Sequence, residues 1–316
     1  MRTGAAANHR GYLHEAILYR TDDELLDVAI PFLRGGIAAG EPTIVGFGFD
    51  HAQLVREALP DEPLRFLPGG AMYARPASAI AMYRKLLREY IDCGAQQIRI
   101  IGELAPADFG GTWDWWARYE SAINELYKDF PLWSMCAYDV HTTPGHVLDD
   151  VGRTHPSLAS PLDRHEPSVS YVPPAAFLTS PRPAGSDPLQ RGMPLLVLVD
   201  APLAEVRRAV DDANTVGLNR DGVDHMKLAV NEVVTNAMQY GHPPIEVRFW
   251  AGDGRIVAAV TNKGEPPADP YAGLRPAAHA PQGGLGLWLV HQLCDYVRFD
   301  RDMDGFTVTV TIRAWP

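Results

Sequence analysis

The stretch 157–193 holds Pro161, Pro167, Pro173, Pro174, Pro181, Pro183 and Pro188, with Pro194 just after it, and it constrains the fold more than any other feature. Each proline lacks the N–H that a helix interior or an inner strand must donate, so the stretch precludes a helix and predicts an extended, semi-rigid connection. Two separate cores follow, because 316 residues suffice for two domains of ordinary size. The expected division is a first domain over 1–158, a linker over 159–192 and a second domain over 193–316. Tyr171-Val172 and Phe177-Leu178 are apolar islands in the linker, which predicts that part of it docks on a domain.

Ahead of the prolines, helix and strand patterns alternate. Helical spacing covers 22–39 after a Thr21 cap, 51–59, 77–93 and 112–129, while 42–49, 64–67, 97–103 and 132–139 read as strands. Such alternation predicts an α/β domain, a parallel sheet with helices on both faces and ligands outside the C-terminal strand ends. Three of those ends carry polar residues: Phe49-Asp50, Gly102-Glu103 and Tyr138-Asp139. The glycines of 35–42 (GGIAAGEP) precede a strand and lack a Lys-Ser/Thr, so they are no phosphate cradle. Trp113, Trp115 and Trp116 share a helix, and the spacing assigns at least two to the core, with an aromatic ligand wall as the other reading. Cys136 lies in an apolar strand and reads as a core thiol, and His14 reads equally as a ligand-facing residue or a helix-start or surface histidine.

The second half is organised around residues 224–241. Met226, Val230, Val233, Ala237 and Tyr240 recur at helical spacing, Gly241 ends the helix and Pro243-Pro244 forbid its return. Glu232 and Asn236 sit one turn apart beside the apolar stripe. A carboxylate and an amide oxygen so placed can share Mg2+, which takes oxygen ligands and keeps several waters. The carboxylate could also accept a proton from a hydroxyl attacking a phosphate. Glu120 and Asn124 repeat that spacing with no phosphate-binding loop downstream, so spacing alone decides nothing. Strands at 195–200, 245–250, 255–262, 296–301 and 306–314 and a helix at 202–216 complete the pattern, and they imply helices on one face of a mixed sheet. Gly283-Gly284-Leu285-Gly286-Leu287 opens a helix with Leu285, Trp288, Leu289, Gln292, Leu293 and Tyr296 at helical spacing. Glycines at a helix start let backbone N–H groups approach an anion, which the helix dipole also favours.

In this order and spacing, residues 193–316 resemble the ATP-binding domain shared by gyrase, Hsp90, histidine kinases and MutL, a Bergerat-type fold, and most closely its anti-sigma-factor serine kinase branch. Glu232 and Asn236 fall on that family's N box, Asn262-Lys263-Gly264 on its G1 box and Gly283 to Leu287 on its G2 box. The resemblance implies bound ATP and Mg2+, with Glu232 as base, Asn236 on the metal, Asn262 and Gly264 at adenine and Gly283, Gly284, Leu285, Gly286 and Leu287 at the phosphates. It implies transfer of phosphate to a STAS-type anti-anti-sigma protein and a sigma factor held inactive, and it admits a homodimer. One departure stands out: the family carries Asp where this chain has Asn262, so a charge-assisted bond to the adenine amino group becomes a neutral one of roughly half the strength. A pseudokinase scaffold that binds a partner without turnover is the competing expectation. Histidine autophosphorylation is not expected, because His155 and His165 lie in the proline-rich segment rather than in a helical hairpin.

His14, Gly40-Glu41, Ile101-Gly102-Glu103, residues 115–124, Cys136-Ala137-Tyr138-Asp139 and Thr154-His155-Pro156 resemble the MEDS sensory domain, which is related to the RecA/KaiC fold. That resemblance implies a small-molecule signal and a pocket built from His14, Glu103, Tyr119, Glu120, Cys136, Tyr138 and Asp139. A formal net charge of -11 with no basic run argues against a nucleic-acid surface, and no apolar run is long enough to span a membrane. Residues 1–10 carry no apolar signal core, and three widely spaced cysteines fit a reducing cytoplasm better than a disulfide framework or a zinc site.

Overall fold

A computed structural model describes residues 3–67, 76–104, 113–180, 187–275, 285–303 and 305–314. The chain forms two compact units, one spanning Met1–Ala74 and Ala79–Pro181, the other Arg75–Ser78 and Arg182–Pro316.

The first unit runs β1 (Leu13–Tyr19), α1 (Asp22–Ala38), β2 (Thr43–Gly46), α2 (Phe49–Ala58), β3 (Arg65–Phe66), α3 (Pro76–Asp92, of which 79–92 belong to this unit), β4 (Ile98–Glu103), α4 (Trp113–Leu126), β5 (Leu132–Asp139), α5 (Gly145–Thr154), β6 (Ser157–Ser160), β7 (Arg164–Pro167) and α6 (Pro174–Thr179). Its sheet has the order β3-β2-β4-β5-β1-β6-β7, parallel at every pairing except the β6–β7 hairpin. One face buries Ile17, Val45, Ile101, Met135 and Ala137 against Leu25, Phe32, Leu33 and Val55 of α1 and α2. On the other face, His14 of β1 and Cys136 of β5 turn toward α4. All three tryptophans of α4 are buried, and Trp113 Nε1 donates to Asp150 Oδ2 at 3.0 Å, fastening α4 to α5.

Two elements of this unit escape the sequence reading. Strand β1 carries His14 and Glu15 where an inner strand ordinarily carries apolar residues, and α5 has glycines at positions 145 and 152. The proline-rich stretch also holds strands and a helix, where an extended connection without a helix was expected. Residues 157–167 add β6 and β7 to the sheet, and Pro174–Thr179 is a helix. Pro173 and Pro174 occupy its cap and first turn, where a missing N–H costs nothing. Buried Phe177 and Leu178, with the Leu178 carbonyl accepting from Arg118 Nη1 at 3.0 Å, dock that helix on the first unit as the apolar islands predicted.

The second unit runs β8 (Leu196–Val199), α7 (Leu203–Ala213), α8 (Arg220–Tyr240), β9 (Glu246–Gly252), β10 (Arg255–Asn262), α9 (Gly286–Leu293), β11 (Tyr296–Asp302) and β12 (Gly305–Arg313). The sheet order is β11-β12-β10-β9-β8, and every pairing is antiparallel rather than mixed. The reason lies in the connections: two successive helices, α7 and α8, return the chain to the end it left, so β9 runs against β8. One face buries Val206, Val210, Met226, Val230, Val233, Ala237 and Val290 against Val247, Phe249, Ile256, Val260 and Val310. Tyr240, expected on that stripe, is 65% exposed. The opposite face packs Trp250, Val257 and Ala259 against Leu189. There the Asp187 carboxylate accepts from Arg255 at 2.8 and 2.9 Å, and Trp250 Nε1 donates to the Gly192 carbonyl at 3.0 Å.

Candidate functional site

On α8, Asn219 caps the first turn by accepting from Gly222 N–H at 2.8 Å, and Met226, Val230, Val233 and Ala237 hold one face in the core. Glu232 and Asn236 therefore stand together, half-buried, at the edge of that face. Opposite them is Gly286, the first residue of α9: a Cβ there would lie 2.5 Å from Glu232 Oε2 and 3.7 Å from Asn236 Nδ2. With glycine there the Glu232 carboxylate can rest against the start of α9, whereas a Cβ would make the end of that side chain shift. The open N–H groups and positive dipole end of α9 are thereby brought beside a carboxylate and an amide. Gly283 and Gly284, expected in the same turn, lie outside the described residues. Leu285 is 59% exposed and Leu287 half-buried, while Val290, His291 and Cys294 make the buried contacts instead of the expected leucine and tryptophan face. With Leu287, Trp288, Leu289 and Val290 in succession, the helix has no single apolar stripe for periodicity to find.

Asn262 ends β10 and is buried, its Oδ1 accepting from Gly264 N–H at 2.7 Å and its Nδ2 donating to the Phe306 carbonyl at 3.4 Å. Gly241 and Gly264 close on it, since a Cβ would lie 2.2 or 2.6 Å from Oδ1. Asn262 thus ties the end of α8 to β10 and β12. Its amide oxygen keeps a second lone pair for another donor.

Of the residues expected in a sensory pocket, His14, Glu120 and Cys136 come together, and His155, at the end of α5, joins them. His14 belongs to the buried strand β1 and is neither a helix-start nor a surface residue. Burial draws His14 down to about 4, opposed by its bond to Asn124, and burial with the neighbouring His14 draws His155 down to about 3. Burial likewise pushes Glu120 up, and it pushes the Cys136 thiol well up with Glu120 adding to it. Tyr138 is buried with its ring centroid 5.8 Å from that of His155. A small pocket of about 40 Å³, lined by Tyr12, Tyr83, Tyr119, Tyr127, Glu103, Glu120 and Cys136, opens beside the cluster. Glu103 lines that pocket, and its carboxylate accepts from Gly48 N–H and from His51 Nδ1, both at 2.7 Å. Asp139 stands apart, accepting from His141 N–H at 2.8 Å and Thr142 Oγ1 at 2.9 Å in its own turn. His155 was legible only as part of a motif, since nothing in a proline-flanked histidine signals complete burial.

Residues 13–156 match the family described as MEthanogen/methylotroph, DcmR Sensory domain (MEDS), and residues 199–312 match the histidine kinase-like ATPase domain. The serine-protein kinases RsbW of Bacillus thuringiensis (strain Al Hakam) and Bacillus cereus (strain Q1) are each 30% identical over 111 residues, which cover 31% of this chain and 69% of the relative. The nucleotide-free catalytic domain of the histidine kinase ThkA aligns at 15% identity and a TM-score of 0.27, over 38% of this chain and 97% of that one. With 69% of a curated serine-protein kinase matched at 30% identity, the chain belongs to the histidine kinase-like ATPase family that includes RsbW, and it joins that domain to an N-terminal MEDS sensory domain.

Proposed function

We propose that the second unit is an ATP-dependent serine/threonine kinase that phosphorylates a STAS-type anti-anti-sigma protein and holds a sigma factor inactive, with the MEDS unit biasing that switch by binding a small-molecule signal more tightly in one state. The observation that supports it best is the approach of Gly286 to Glu232 and Asn236 in a chain related to serine-protein kinases. A carboxylate with an amide is an oxygen-donor pair, which suits Mg2+. Asn236 would hold the metal, Asn262 and Gly264 would face adenine, and Gly283, Gly284, Leu285, Gly286 and Leu287 would hold the phosphates at the start of α9. Bound Mg2+ supplies neutralisation of the phosphate charge. Glu232 takes the proton of the attacking hydroxyl as its oxygen bonds to the terminal phosphorus and the bond to ADP breaks. Transfer of labelled phosphate from ATP to the cognate STAS-type protein tests this. Wild type transfers, and Glu232→Ala loses about 10²–10⁴-fold while still binding nucleotide. ATP binding with no transfer to that partner removes the kinase.

One observation favours the scaffold reading. Asn262 Oδ1 is already engaged by Gly264 N–H in a buried position, and it lacks the charge that would strengthen a further bond to adenine. Partner capture that is unchanged with and without ATP would mark the second unit as a scaffold.

A further inference from the structure

We propose that His14, Glu120, Cys136 and His155 form a binding site in the MEDS unit for one divalent transition-metal ion of borderline softness, zinc before others. Four separate segments supply the ligands: β1, α4, β5 and the residue that ends α5. One ligand atom from each lies within 4.8 Å of all the others. His14 Nε2 is 3.4 Å from Glu120 Oε2 and 3.5 Å from Cys136 Sγ, His155 Nε2 is 3.6 Å from Glu120 Oε2, and Sγ is 3.9 Å from the same oxygen. A tetrahedron with zinc–nitrogen and zinc–oxygen bonds near 2.1 Å and a zinc–sulfur bond near 2.3 Å has edges of roughly 3.3–3.6 Å. Four of the six separations stand close to those spacings, and the two others, within 4.8 Å, would contract on binding.

The hydrogen-bond network fixes both tautomers for metal binding. Asn124 Nδ2 donates to the carbonyls of Glu120, Ser121 and Thr154 at 3.1, 3.1 and 2.8 Å, so its Oδ1 must be the acceptor for His14 Nδ1–H at 3.0 Å. His155 Nδ1–H donates to the Val151 carbonyl at 2.9 Å. Both imidazoles therefore turn an Nε2 lone pair inward with the other nitrogen held by an oxygen, which is how metal-bound histidines are oriented. His155 is fully buried and its Nε2 has no hydrogen-bond partner, an unsatisfied group that a metal ion accounts for. Two imidazoles, a thiolate and a carboxylate suit zinc or cobalt, whereas Mg2+ and Ca2+ take oxygen throughout. Binding releases the proton of the Cys136 thiol, so affinity rises with pH. Glu120 and Cys136 also line the small pocket, so anything entering it meets two of the metal's ligands.

The test is titration of the full chain, stripped by a chelator, with Zn2+ and then with Co2+. One equivalent of Zn2+ should bind and raise the melting temperature, and Co2+ should give the intense absorption of a tetrahedral site with a thiolate-to-cobalt charge-transfer band. Cys136→Ser should abolish that band while Cys93→Ser keeps it, and Asn124→Ala should weaken Zn2+ binding by about 10–100-fold. Zinc should also shield one thiol of the wild-type chain from alkylation, a reading that survives if a variant fails to fold. Absence of stoichiometric binding, a cobalt spectrum without sulfur ligation or a band that persists in Cys136→Ser overturns the proposal.

Discussion

Two helices of this chain carry glutamate and asparagine four residues apart, and the same spacing is put to different use. On α4, Glu120 is 2% exposed and Asn124 spends its amide on three backbone carbonyls and one imidazole. On α8, Glu232 and Asn236 are half-buried, and among the described residues no hydrogen bond ties either side chain to a partner. The difference comes from what stands opposite. A second helix with histidine at its end faces α4, together with strands bearing histidine and cysteine, whereas the glycine that starts a helix faces α8. Spacing on one helix sets which side chains project together, and the opposing element decides their chemistry.

The largest contrast should come from the glutamates. Glu232→Ala should cost about 10²–10⁴-fold in phosphate transfer yet change stability by less than about 0.5 kcal/mol, because its side chain fills no core space. The asparagines separate next. Asn124→Ala strands the Thr154 carbonyl and His14 Nδ1–H and should lower unfolding free energy by about 2–3 kcal/mol in chemical denaturation, whereas Asn236→Ala should leave the denaturation midpoint nearly unchanged. A smaller effect sharpens the nucleotide side: Asn262→Asp restores a charged acceptor and should tighten ATP binding by about 10-fold in a binding titration.

A further effect is pH-dependent and lies in the first unit, on the face away from α4. His165 is drawn up to about 9, chiefly by its hydrogen bond to buried Glu15 and further by Asp163, with the Trp133 ring edge-on to it at 5.6 Å. A raised folded-state value means that the stabilisation is complete below the unfolded value near 6.5 and is lost as pH rises through about 9. Melting temperature should therefore fall between pH 7 and 10, and His165→Gln should flatten that profile.

The second unit was the more legible of the two because its elements obey the local rules. The α8 stripe, the β9 and β10 hairpin and the glycine start of α9 each follow from spacing and turn chemistry, whereas the Glu232, Asn236 and Gly286 juxtaposition was expected only from the family resemblance of their motifs. What escaped were the pairing directions, set by two helices in one connection, and the Asn262 contacts, which depend on Gly241 and Phe306 from distant segments. The first unit hid more. The adjacent His14 and Glu15 hide β1 as an inner strand until β5 and β6 flank it, and His155 becomes a buried ligand-like group only once Glu120, Cys136 and His14 arrive from three other segments.

Calorimetric titration of the full chain with ATP, with and without Mg2+, weighs the two helices most directly. One equivalent of Mg2+-dependent binding should appear in wild type, vanish in Asn236→Ala and persist in folded Asn124→Ala. Absence of ATP binding by wild type, or undiminished binding by Asn236→Ala, would contradict the assignment of α8 as the nucleotide helix.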